Sequence, residues 1–153
     1  MKKIASFEVN HLVLEPGIYL SRQDGDVITY DLRFKKPNAG EYLDNGALHT
    51  IEHLLATYVR NSAFADRVVY AGPMGCRTGF YLLLRDSVSS EETIALVRAA
   101  FSYIAGFTGE IPGASERECG NYLNQDLPGA RREAELYSGV IASWTPERLT
   151  YKV

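Results

Sequence analysis

The chain has 153 residues, a net charge of −3, 46% apolar and 23% charged residues, the balance of a globular protein that folds as one domain, residues 1–153, without disulfide staples. No basic stripe invites nucleic acid or an anionic membrane as the main partner, and no apolar run approaches the length of a membrane span. Glu8 and His11 interrupt the amino-terminal apolar residues that a signal peptide would need, so the expected location is cytoplasmic.

Residues 27–34 alternate, with Ile28, Tyr30, Leu32 and Phe34 on one face and Arg33 on the other, which predicts a half-buried strand. Lys35-Lys36-Pro37-Asn38 ends it, and Asn45-Gly46 turns the chain. Residues 47–60 read as a helix whose apolar stripe is Leu48, Ile51, Leu55 and Tyr58. Val68-Val69-Tyr70 predicts a short strand broken by Gly72-Pro73-Met74-Gly75, and Thr78 to Leu84 a second one. Ser89-Ser90-Glu91-Glu92 is a capping box opening a helix that runs to about Gly106. A loop follows over Gly109 to Ala114, and another helix covers Gly129 to Ser143 behind Pro128. Strands and helices do not alternate regularly, so the expected fold class is α+β, an antiparallel sheet packed against helices.

His49-Thr50-Ile51-Glu52-His53 carries the sharpest chemistry. Residues four apart share a helix face, so both imidazoles can reach one metal ion. At about 100° per residue, His49, Glu52 and His53 face away from the apolar stripe, towards a cleft. The alternative is a surface helix that happens to bear these residues, but the chain has only three histidines. The H-x-x-E-H pattern occurs in inverzincin peptidases, where the glutamate activates a metal-bound water. A chain this short leaves little room for a polypeptide-binding chamber.

The most attractive third ligand is Cys119, in Glu118-Cys119-Gly120-Asn121; otherwise it is a buried, unliganded thiol. A His-His-Cys set with an open position is a catalytic arrangement, and it accepts Zn(II), Fe(II) or Co(II). Cys76 lies between glycines, in Gly72-Pro73-Met74-Gly75-Cys76-Arg77-Thr78-Gly79, where a sharp turn would present the thiol into a cavity. A thiol beside a divalent cation and Arg77 is suited to moving protons near neutrality; the alternative is a packed structural cysteine. Two classes of function fit these residues taken alone, a small metal-dependent hydrolase and a structural zinc-binding module.

His49-Thr50-Ile51-Glu52-His53-Leu54, the stretch Gly72 to Tyr81, Glu118-Cys119-Gly120-Asn121 and Ser6-Phe7-Glu8-Val9-Asn10-His11 resemble the four signature segments of the LuxS family. Tyr30-Asp31-Leu32-Arg33-Phe34 through Lys36-Pro37-Asn38 resembles a fifth. These segments occur in the family's order and span nearly the whole chain. The resemblance implies S-ribosylhomocysteine lyase activity, which yields homocysteine for methionine metabolism and 4,5-dihydroxy-2,3-pentanedione, the precursor of the autoinducer-2 signal of quorum sensing. It implies His49, His53 and Cys119 as metal ligands, with Fe(II) the physiological ion and Zn(II) found after aerobic purification. It makes Cys76 and Glu52 the acid–base pair. Ser6, His11 and Arg33 match substrate-binding positions, with Ser6 and His11 supplied across the interface of a homodimer. Two departures stand out: Asn10 replaces an aspartate before His11, and Tyr70 stands where some members carry an aspartate near the ribose.

Overall fold

Hydrogen bonding along the backbone resolves four strands and three long helices. The computed structural model describes residues 1–153. Its strands are β1 (Gly17–Asp24), β2 (Val27–Arg33), β3 (Val68–Pro73) and β4 (Gly79–Arg85), and its helices are α1 (Asn45–Arg60), α2 (Ser90–Ala105) and α3 (Leu127–Ile141). The strands form one antiparallel sheet in the order β1-β2-β4-β3, so the α+β expectation holds. No helix is long and apolar enough to cross a membrane.

Along β2 and β4, Ile28, Tyr30, Leu32, Phe80, Leu82 and Leu84 are buried in one hydrophobic core with the helices. Such alternation follows from the pleat, which sends successive side chains to opposite faces. Phe34 continues the pattern just past β2, stacking on Tyr137 of α3 with ring centroids 4.0 Å apart. The residues between them differ from expectation. Arg33 is on the opposite face, as the alternation requires, but it is only 3% exposed. Its cross-strand neighbours are Gly17 and Gly79; a Cβ on Gly17 would run into the Trp144 ring and one on Gly79 into the Leu32 carbonyl.

Strand β1 escaped the alternation rule for a visible reason. Gly17, Ile18 and Tyr19 are all buried, and a register shift between Leu20 and Arg22 breaks the period. Tyr19 is covered edge-on by Trp144 and face-on by Tyr151, both from the segment after α3. Strand β3 also runs longer than predicted, through Gly72-Pro73. It is an edge strand paired only with β4, where the N–H that proline lacks has no ladder partner to lose.

Helix α1 buries Ala47, Thr50, Ile51, Leu54, Leu55 and Val59, while Leu48 and Tyr58 of the predicted stripe are only half-buried. The buried face is wider than a stripe because α1 packs against β3, α2 and α3 at once. Thr50 tolerates burial because its hydroxyl donates to Gln125 Oε1 at 2.7 Å and accepts from the Asp126 N–H at 2.9 Å. The predicted capping box of α2 is present: Ser89 accepts from the Glu92 N–H, and the Glu92 carboxylate accepts from the Ser89 N–H. Helix α3 starts two residues before the predicted Gly129, with Asp126 capping the Gly129 N–H.

Candidate active site and metal centre

Helix α1 carries His49 and His53 one turn apart, and the loop before α3 brings Cys119 to them. One ligand atom from each of the three residues lies within 4.8 Å of the others. His49 Nε2 stands 3.0 Å from His53 Nε2 and 3.4 Å from Cys119 Sγ. The Nδ1 atoms face outward to backbone carbonyls, His49 to Asn124 O and His53 to Pro112 O, each at 2.7 Å. A carbonyl oxygen only accepts, so each Nδ1 must carry the proton. Gln125 Nε2 also lies 3.3 Å from His49 Nδ1, but the shorter carbonyl contact sets the tautomer. With Nδ1 turned outward, each ring points its Nε2 at the same place, beside the Cys119 sulfur. A cation satisfies that geometry, and carbonyls holding the outer ring nitrogens are the usual support of histidine ligands.

Cys119 is held by its own loop. Its N–H donates to Ser115 O at 3.0 Å, and the Asn121 N–H donates to its sulfur at 3.4 Å. A donor aimed at sulfur suits a thiolate ligand. Pro112 and Gly113 fix the second wall. Gly113 has φ +71 and a Cβ there would approach His53 Nδ1 to 3.2 Å, so glycine serves both the turn and the close approach.

Glu52 sits on the same helix beside this cluster but outside it. It lines a cleft of about 280 Å³ with His53, Ala56, Thr57, Pro112 and Gly113. Its carboxylate joins none of the chain's ion pairs and is free to work on a bound molecule.

Cys76 occupies the loop joining β3 to β4 and is exposed, free of any disulfide. Here the expectation about its cationic neighbour is corrected. Arg77 adopts a left-handed backbone conformation, φ 60. Its guanidinium donates to Leu43 O at 3.2 Å and lies over the Tyr42 ring. Arg33 reaches the thiol instead, through Thr78. Arg33 Nη1 donates to Thr78 Oγ1 at 2.8 Å, and Thr78 Oγ1 lies 3.0 Å from Cys76 Sγ. Burial works against the charge of Arg33, but the attraction and hydrogen bonds of Asp31 outweigh it and hold the guanidinium above its usual pKa.

Two groups are thus assembled within one chain, the His49–His53–Cys119 cluster flanked by Glu52, and the Arg33–Thr78–Cys76 chain. Ser6 and His11 join neither. His11 Nδ1 bonds only to Val9 O, 2.8 Å away, and Ser6 lies in a short 3-10 turn, Ala5–Phe7. The departures named above are accommodated locally. Asn10 Oδ1 accepts from the Leu12 N–H. Tyr70 lays its ring against Gly72, where any Cβ would collide with it. Sequence reasoning passed over Asp31, Thr78 and Tyr151. The one available signal was Asp31-x-Arg33, a carboxylate and a guanidinium two apart on one strand face.

The chain matches the family model described as S-ribosylhomocysteinase (LuxS) over residues 4–147. It is 47% identical to the S-ribosylhomocysteine lyase of Clostridium acetobutylicum, with 99% of each chain covered. It is 48% identical to the protein of that name from Desulfotalea psychrophila, again over 99% of each. The Phocaeicola vulgatus S-ribosylhomocysteine lyase is 47% identical, over 99% of this chain and 98% of that one. With these likenesses running nearly end to end, and with His49, His53 and Cys119 converging as they do, the chain belongs to the S-ribosylhomocysteinase (LuxS) family.

Proposed function

We propose that this protein is a metal-dependent S-ribosylhomocysteine lyase, releasing homocysteine and 4,5-dihydroxy-2,3-pentanedione. The observation that carries the reading is the convergence of two imidazole lone pairs and a thiol beside an unpaired carboxylate, in a chain of this family. An ion held by His49, His53 and Cys119 supplies Lewis acidity to the sugar oxygens when bound. The donor set accepts Fe(II), Zn(II) and Co(II), and Fe(II) is the proposed resident ion, following the family resemblance.

The thioether bond at ribose C5 is hard to break because no adjacent carbonyl accepts electrons. Residues that move protons can bring one closer. Cys76 takes the C2 proton and returns it at C1, which turns the aldehyde into a 2-ketone. A second such exchange gives the 3-ketone. Glu52 then removes the C4 proton, made acidic by its neighbouring carbonyl, and homocysteine leaves from C5 by β-elimination. Glu52 also carries protons between oxygens as the carbonyl migrates. Each group acts in turn as base and acid, the ordinary requirement of general acid–base catalysis. Arg33 uses three of the five N–H donors of a guanidinium on Asp31 and Thr78, and the other two serve the substrate.

A homodimer is part of the same reading. The amino-terminal arm exposes Ile4, Phe7 and Leu12, the last two at 67% and 85%. Exposed apolar side chains gathered around Ser6 and His11 support burial of the arm against a second copy, where both residues would complete that copy's site. The dione serves as a signal precursor, following the resemblance, and the proposed place of work is the cytoplasm. Anaerobic incubation with S-ribosylhomocysteine, followed by titration of free thiol, should show homocysteine released in proportion to dione formed. A protein that binds its metal and releases no thiol overturns the lyase reading.

A further inference from the structure

Four side chains form a hydrogen-bonded train that ends at Cys76. The Tyr151 hydroxyl donates to Asp31 Oδ2 at 2.7 Å. Arg33 grips Asp31 with two N–H groups, Nε to Oδ1 at 3.1 Å and Nη2 to Oδ2 at 2.7 Å. Its Nη1 donates to Thr78 Oγ1, which lies 3.0 Å from Cys76 Sγ. Asp31, Arg33 and Thr78 are 1%, 3% and 2% exposed, whereas the thiol at the end is open to solvent.

We propose that Thr78, set by Asp31 and Arg33 and latched by Tyr151, is a positioning residue that fixes the Cys76 sulfur for proton transfer. The proposal rests on the reading of Cys76 as an acid–base group. Thr78 is the joint between Arg33 and the sulfur. Its oxygen accepts from Arg33 and keeps a proton and a second lone pair, so the hydroxyl pairs with the sulfur whether Cys76 is thiolate or thiol. An exposed thiol at a loop has free rotation about its Cα–Cβ bond, and a single buried hydrogen-bond partner selects one rotamer. Arg33 in turn cannot swing away, because the bidentate pair with Asp31 is a fork with one geometry. Tyr151 comes from beyond the 3-10 turn Pro146–Leu149 and stacks on Tyr19. Burial and the Asp31 carboxylate raise its phenol far above the ordinary range, so it remains a donor at every working pH. The backbone role of Thr78 is separate: its carbonyl accepts from the Phe34 and Lys35 N–H groups and survives any side-chain change.

Thr78→Val keeps the shape and deletes the hydroxyl, whereas Thr78→Ser keeps the hydroxyl. Both are compared with wild type and with Cys76→Ala in the metal-loaded full chain. Two readouts are needed: kcat and KM for S-ribosylhomocysteine, and the rate at which iodoacetamide alkylates Cys76, resolved from Cys119 by peptide mass spectrometry. Thr78→Val should lower kcat about tenfold or more with KM within about twofold, and should change the alkylation rate of Cys76. Thr78→Ser should recover most of both. Tyr151→Phe, which keeps the stacked ring, should lower kcat about threefold in the same pattern, and it carries the test if Thr78→Val does not fold. Wild-type kcat and alkylation in the hydroxyl-deleted proteins, with Cys76→Ala inactive, overturns the positioning role and leaves the acid–base reading standing. A Cys76→Ala protein that turns over overturns both.

Discussion

His53 shows how one residue is given its task. Its Nδ1 proton goes to the Pro112 carbonyl and its Nε2 faces His49, so the ring has one useful lone pair and one direction for it. His53→Ala or Cys119→Ala removes a third of the donor set, and either protein should lose its ion and its activity together, as measured by elemental analysis and thiol release. Glu52 has a different assignment on the same helix. Glu52→Gln should keep about one ion per chain yet stall on a ketone, visible by carbon NMR with labelled ribose. Loss of metal in that variant would make Glu52 a ligand, and normal product formation would remove it from the chemistry.

Helix α1 divides its circumference between two jobs, burying Ile51, Leu54 and Leu55 while turning His49 and His53 towards Cys119. Rigid packing against β3, α2 and α3 is what lets a histidine pair hold its spacing. Helix α2 instead shows how an end is secured. The backbone and side-chain hydrogen bonds of Ser89 hold the Glu92 carboxyl below its ordinary pKa. A carboxyl lowered by folding adds stability that is present above its unfolded value, about 4.3, and is lost as pH falls through the lower folded value. Glu92→Gln keeps an acceptor without the charge. Its thermal midpoint should therefore fall below wild type at pH 7, and the gap should close in acid. Taking the difference cancels any metal loss common to both proteins. A gap that is independent of pH would mean the charge contributes nothing to the cap.

For the whole molecule the question is how many chains make a site. If the arm bearing Ser6 and His11 crosses a twofold axis, His11→Ala and Cys76→Ala damage opposite partners of each shared site. Half the dimers in an equal, fully exchanged mixture are heterodimers, and each holds one intact site and one doubly damaged site. Mixing two nearly inactive proteins should then restore about a quarter of wild-type sites. Exchange verified by mass spectrometry with no return of activity would place the arm on its own chain's site.

Much of this protein is written in short-range sequence. The i, i+4 histidines, the capping box at Ser89 and the alternation of β2 and β4 are set by neighbours along the chain, because helix and strand periods are local properties of the backbone. The α+β class and the extents of the predicted elements follow from them, to within a few residues at each end. Cys119 is different: it stands 70 residues from His49, and its residue type suggested a ligand but only packing could deliver it. The same holds for the Asn124 and Pro112 carbonyls that set the histidine tautomers, since every residue has a carbonyl and sequence does not single one out. Strand β1 was hidden because the chain's last segment covers its second face. Arg77 looked like the cation beside Cys76 because it adjoins it in sequence, yet the left-handed turn sends it to Leu43, and Arg33 arrives through Thr78. Tyr151 meets Asp31 across 120 residues. Such partners are chosen by the way layers stack, which depends on the whole chain closing around one core, and only the tertiary structure decides it.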